Sequence, residues 1–444
     1  MHGLVGINEP DLMRRTGATF KLATEHLGWQ GEGSRFLHAH GDIGTDLGGT
    51  PFYKFLALQA LAGKRESPEI YSVAATAARL GRFARPMGEE SSLTSSFTYA
   101  LHLEEAAYTA YLREHAARLG VRRVEGALTG VNRSESGNIH SLSVGGEQIT
   151  GDYFLDCSGP DAVLLSRIAD GGRDDWSAWL PCDRMVSALA APLAEPAAVT
   201  RTTATDAGWV WRAPLAQASM AGYVYSSVYL DDASALSALA VTAPGLRAPV
   251  LNRFAPGRRQ KFWERNCVAL GAAAVELEPL AGADLHLAQL GVGTLIELFP
   301  LDTHSAVEGV EYNRIMGEHA DALRDFTVAH YRAGRARAGG FWNATRAAAL
   351  PATLAQKLDL YSANGRIALL DNESFEETDW AWLLMGAGLF PEALELQIRI
   401  RLENVTPEKI APLRAYVERL VETMPRHIDY VQRQGAQGPH AAKP

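Results

Sequence analysis

The sequence predicts an α/β fold with an antiparallel sheet inserted at about 175–260 and a mostly helical part from 306 to 444. Three observations carry this. Tyr153 to Gly159, and the segment from Cys267 to Asp284, each run from an apolar strand into a small-residue turn, the pattern by which α/β folds present backbone N–H groups to an anionic ligand. The stretch 180–260 alternates apolar and polar residues as half-buried strands do. Beyond 310 the apolar residues recur at helical spacing.

Taken in order, Asn8 is a helix cap, Pro10 suits a first turn and Gly17 stops the helix. Thr19 to His26 alternates as one strand, with Lys21, Ala23 and Glu25 on one face. Residues 30–50, rich in Gly, His and Asp, read as a long loop. Leu103 to Leu119 is an amphipathic helix closed by Gly120, and Val121 to Val124 opens a strand, giving half of a βαβ crossover. Gly145-Gly146 marks a hairpin. Asp284 to Phe299 reads as a largely buried helix with Asp284 near its N-terminus, and the chain after Val431 is expected to fray.

Composition narrows the function. A net charge of -9 and a pI near 5.8 argue against nucleic acid or an anionic membrane as the main partner. The three cysteines, Cys157, Cys182 and Cys267, fit no disulfide framework or zinc spacing, so a cytoplasmic, soluble protein is the expectation. The N-terminus shows no signal-peptide pattern and no apolar run is long enough for a membrane span.

Several residues admit two readings. Trp209 and Trp211, in Gly-Trp-Val-Trp-Arg-Ala-Pro, stand on one strand face as an indole wall, and Pro214 ends the strand or holds it at an edge. On residues alone they are core aromatics. Lys21 is either a sheet-edge lysine reaching water or a tunnel lysine whose amine burial has tuned. His38 and His40 alternate and either can face a ligand, with no second cluster to make a metal site. The carboxylates between Asp371 and Trp380 read as a solvated acidic turn. No Gly-x-Gly-x-x-Gly follows a strand in the first hundred residues, and Gly41, Gly44, Gly48 and Gly49 have the wrong spacing.

Four stretches together resemble the flavin-dependent tryptophan halogenase family: Gly17 to Lys21 with Trp29 beyond, Phe154 to Gly159, the tryptophan heptapeptide, and Asn266 to Leu280. The resemblance runs along nearly the whole chain. It implies a glutathione-reductase-like FAD-binding fold lacking its first βαβ, with residues 1–305 as the flavin part and 306–444 on the substrate side. It implies FAD, used as FADH2, with O2 and chloride or bromide. In that family a flavin hydroperoxide oxidises halide, and the oxidant travels to a lysine beside the aromatic substrate.

Carried residue by residue, the resemblance makes Lys21 the catalytic lysine. Asp156, Ser158, Gly159, Trp209, Trp211, Gly271, Pro279 and Leu280 would bind the cofactor, Ala283 and Asp284 the halide, and His38 and His40 the substrate. It also implies departures. The family's Gly-rich phosphate turn is expected upstream of where this sequence begins, and Ala281 stands where the family has a glutamate, with Glu276 and Glu278 the nearest carboxylates. The expected partners are a transient flavin reductase and a small aromatic substrate, with a homodimer as a further expectation. The alternatives are a flavin monooxygenase without halide use and an inactive fragment that binds no FAD.

Overall fold

Asn8 starts the first helix as expected. Its side chain accepts the Asp11 N–H at 3.0 Å, α1 runs Glu9–Thr16, and Gly17 closes it at φ 67°. The computed structural model describes residues 2–87, 93–169, 172–280, 282–300, 306–333 and 337–436.

The predicted strand at 19–26 is two strands in different sheets: β1 (Thr19–Lys21) and β2 (Ala23–Leu27). Leu22 breaks it, because its N–H bonds the Ala198 carbonyl while its own carbonyl takes the His40 N–H. The supposed loop at 30–50 contains β3 (Arg35–Ala39), antiparallel to β2 with His38 opposite Thr24. Helices α2 (Phe52–Leu61) and α3 (Val73–Arg79) bury most of their residues, and β4 (Ala100–His102) pairs with β1. Helix α4 (Glu105–Arg118) forms, but no strand follows at 121–124. Val121 is exposed and its N–H returns to the Ala116 carbonyl, so the half-crossover is not made. The chain continues through β5 (Leu128–Arg133), β6 (Ile139–Val144) and β7 (Glu147–Thr150). Gly145 and Gly146, both at positive φ, make the expected tight turn between β6 and β7.

After β8 (Phe154–Asp156) and β9 (Arg173–Asp175) comes the large sheet. Strands β10 (Arg184–Ala190), β11 (Val199–Ala204), β12 (Gly208–Pro214) and β13 (Ser219–Tyr225) lead to helix α5 (Asp232–Thr242) and strand β14 (Arg247–Arg253). The seven strands lie in the order β14-β10-β13-β12-β11-β2-β3, antiparallel except for β11 beside β2. Pro214 ends β12 inside this sheet rather than holding it at an edge. One face of β12 and β13 packs Val210, Ala221 and Tyr223 with Ala235 and Leu239 of α5. The other face carries Trp209 into the main core.

Short strands β15 (Gly257–Arg259), β16 (Trp263–Glu264), β17 (Cys267–Ala269) and β18 (Val275–Glu276) follow, with β17 parallel to β8. Helix α6 (Ala283–Glu297) buries Leu287, Gly291 and Leu295 and exposes Leu285, Val292 and Ile296, so it is a one-sided helix and not a largely buried one. The remainder is helical: α7 (Val307–Arg332), α8 (Gly340–Ala347), α9 (Ala352–Asn364), α10 (Glu377–Gly386), α11 (Leu396–Leu402), α12 (Pro407–Thr423) and α13 (His427–Ala436). Helix α13 continues past Val431, and the tail from 437 lies outside the described residues. No described helix is long and apolar enough to cross a membrane.

Candidate active site

A cleft of about 420 Å³ opens where β1, β2 and β3 meet α7 and α10. Lys21 closes β1 and lines it. Thr24 and His26, two apart on β2, line it with His38 from β3 and His40 just beyond; the loop before α6 adds Leu280 and Gly282, and α7 adds Phe326 and His330. The structure therefore brings together Lys21, His38, His40 and Leu280, which are scattered in sequence.

Burial sets the protonation of this wall. It lowers the Lys21 amine to about 8, and that amine has no hydrogen-bond or ion-pair partner among the described residues. The same cause drops His40 and His330 to about 3 and His26 well below its usual value, so all three are neutral at pH 7. His330 Nδ1 donates to the Phe326 carbonyl, and His26 Nδ1 meets Thr202 Oγ1 at 2.9 Å. His38 Nε2 donates to Asp379 Oδ1 at 3.1 Å. The acidic turn at 371–380 is not solvated throughout: Glu373 forms a buried ion pair with Lys357 at 2.7 Å and accepts from Trp380.

The indole wall exists and is tied down. Trp209 is buried, and its Nε1 donates to Tyr331 Oη at 3.0 Å and Glu278 Oε2 at 3.2 Å. Trp211 lies across Gly222 on the neighbouring strand, with its buried Nε1 unpartnered. Trp29 links this wall to the cleft: its ring centroid is 6.1 Å from Trp209, 5.6 Å from His26 and 6.3 Å from His330.

The other predicted positions divide. Asp156 is buried, and its oxygens accept from the Ser158, Leu164 and Leu165 N–H groups and from Ser158 Oγ. These bonds shape the turn that follows β8. Ser158 Oγ is likewise occupied, accepting from the Val163 N–H. Gly159 and Gly271 sit at positive φ with open space beside them, and Pro279 is half-buried. Gly282, not Asp284, is the N-cap of α6, so Ala283 and Asp284 are its first two residues and no side chain caps it. Asp284 touches water yet is enclosed enough for burial to lift its carboxyl to about 6. Ala281 lies outside the described residues. Of the two nearby carboxylates, Glu276 pairs with Arg173 at 2.7 Å, whereas Glu278 is inside the core. Sequence reasoning missed Tyr331 and His330, whose helical spacing alone hinted at a buried face, and placed Asp379 in a solvated turn, whereas it pairs with His38.

Known proteins match this arrangement. A model of the tryptophan halogenase family matches residues 1–400. The chain belongs to the tryptophan halogenase family. This halogenase chain is 29% identical over 365 residues to the 7-chloro-L-tryptophan 6-halogenase KtzR of Kutzneria sp. (strain 744), covering 79% of itself and 69% of that protein. It superposes with a TM-score of 0.92 on BrvH, a flavin-dependent halogenase from Brevundimonas sp. BAL3, at 32% identity over 98% of this chain and 89% of the other. Xcc4156, a flavin-dependent halogenase from Xanthomonas campestris, gives the same score and identity over 98% and 87%. These matches bear out the flavin-dependent halogenase fold and do not favour halide-free oxygenation or an inert remnant.

A halogenase must leave room for a flavin and an anion, and unfilled features here fit both. Gly271 and Gly282 adopt left-handed φ values of +60° and +65° with nothing within 4 Å of an added Cβ. The uncapped N-terminus of α6 offers backbone N–H groups to an anion. Trp211 Nε1 is a buried donor without an acceptor.

Proposed function

We propose that this chain halogenates an indole-like or other electron-rich aromatic, using FAD in its reduced form, O2 and chloride or bromide, with Lys21 as the catalytic residue. A separate flavin reductase would supply the reduced flavin transiently. Bound reduced flavin and O2 supply the oxidising equivalents that convert halide to hypohalous acid. The chain's residues do the rest. Trp209, held by Glu278 and Tyr331, and Trp211, packed across Gly222, form a barrier that keeps organic substrate off the flavin. Gly271, Pro279 and Leu280, with Gly159 nearby, would form the cofactor's contact surface, and the backbone of Ala283 and Asp284 would hold the halide. His38, oriented by Asp379, and His40 border the substrate.

The observation that carries this reading is Lys21. An amine held near 8 by burial, with no partner, at the wall of an aromatic-lined cleft, can donate a hydrogen bond to an oxidant or accept the halogen on nitrogen. The test supplies a flavin reductase, FAD, bromide and indole, and looks for the bromine isotope pair by mass spectrometry. Lys21→Ala is expected to lose bromination by more than about 100-fold while flavin reoxidation continues. Bromination retained in that variant refutes the assignment.

A further inference from the structure

The cleft carries a charge pattern that halogenation alone does not need. Asp42, Glu376 and Asp379 line it, and Lys21 is the one lysine or arginine among its described lining residues. Asp379 is engaged, since Oδ1 meets His38 and Oδ2 accepts the Glu376 N–H at 2.9 Å. Glu376 caps α10 by accepting the Asp379 N–H. The Asp42 carboxylate, on an exposed residue at the cleft rim, has no hydrogen-bond or ion-pair partner among the described residues, and partial enclosure, then the neighbouring Glu376, push its carboxyl up. A cation brought to this rim would relieve that repulsion.

A second observation points to a ligand in the same space. His26, 1% exposed, lines the cleft and leaves Nε2 without a partner, as does His40. Buried imidazole nitrogens left unsatisfied cost free energy that a polar ligand group, donor or acceptor according to the tautomer, can recover. Phe97, Phe326 and Phe375 supply the apolar wall for a ring, with Phe326 and Phe375 stacked at 3.6 Å.

We propose that the cleft selects amine-bearing indoles over carboxylate-bearing ones, the ring lying towards Lys21 and the ammonium meeting Asp42 and Glu376. This rests on the cleft being the halogenation site. A free amino acid would bring its carboxylate against three others, with Lys21, on the ring side, as the one lysine or arginine among the described lining residues to receive it.

The test measures calorimetric binding of tryptamine, indole, tryptophan and indole-3-propionate to the purified chain, with no flavin present. Tryptamine is expected to bind tightest and indole-3-propionate weakest. Asp42→Asn should cut the preference for tryptamine over indole by about fivefold, and added salt should shrink it too. Equal binding across the series, tighter binding of the carboxylates, no binding of any member, or an unchanged preference in Asp42→Asn would each overturn the proposal. The same series is then run for bromination. Ordered binding without bromination counts against the halogenase reading alone, and bromination in the reverse order counts against the charge assignment alone.

Discussion

Glu278 gathers two donors on one oxygen and none on the other. Oε2 accepts from Trp209 and Tyr331, while Oε1 is buried without a partner. Burial raises the carboxyl to about 7, against the opposing pull of Tyr331, Trp209 and the adjacent Cys182. The folded chain keeps a proton that the unfolded chain has released, so this stabilisation is full below about 4.5 and is lost as pH rises through about 7. Glu278→Gln keeps an acceptor for both donors and removes the titration. Between pH 5 and 8 the wild-type unfolding free energy should fall by about 2 kcal/mol more than the variant's, measured by urea titration. Parallel pH profiles would show that Glu278 is ionised in the fold. At this scale it was the family resemblance that singled out Lys21, His38 and His40, since a strand lysine and two alternating histidines are ordinary patterns by themselves. The sequence hid Glu278 and Tyr331, since neither their burial nor their meeting across 53 residues leaves a local mark.

The indole wall belongs to two strands, not to one heptapeptide. Period-two alternation correctly put Trp209 and Trp211 on one face of β12. The partner register then sets Trp211 opposite Gly222 of β13, where an added Cβ would come within 2.4 Å of the indole Nε1. Gly222→Ala must push the ring or the strand aside. A loss of about 1–3 kcal/mol is expected by chemical denaturation, with altered near-UV circular dichroism from the displaced indole. Unchanged stability would mean that the wall is looser than its packing. Elements misread from sequence failed for identifiable reasons. A five-residue strand, β3, sits inside a window rich in glycine and aspartate, so its pairing with β2 outweighs local composition. Val121 to Val124 has strand-forming valines, yet with two arginines between them the segment joins no sheet among the described residues and is largely exposed. Composition alone made α6 look buried, although only one stripe of it meets the core.

Across the whole molecule, the C-terminal helices hold the strand that carries Lys21. His427, fully buried at the start of α13, donates from Nδ1 to the Pro196 carbonyl at 2.7 Å and accepts the Phe20 N–H on Nε2 at 3.2 Å. Both bonds need a neutral imidazole, because a protonated ring cannot accept. His26, His40, His102 and His330 are also enclosed, and burial lowers all five histidines. In the unfolded chain these rings charge near 6.5, so the stability they contribute is present above that value and is lost as pH falls below it. Each contributes up to about 1.4 kcal/mol per pH unit. Glu278, raised to about 7, acts in the opposite direction and offsets about one of them, while His427, lowered less than the other four, and the exposed, water-screened Asp284 add little. About 3 to 4 kcal/mol should therefore be lost per pH unit in the window where the unfolded histidines are charged and the folded ones are not. Against a total of about 5–15 kcal/mol, that loss unfolds the chain within two or three units below 6. Thermal scans and near-UV circular dichroism from pH 7.5 to 4 should show the midpoint falling steeply, with uptake of more than one proton on unfolding. A midpoint that holds steady to pH 4 would mean that these rings are solvated or already charged, and the histidine wall beside Lys21 would then be open to water.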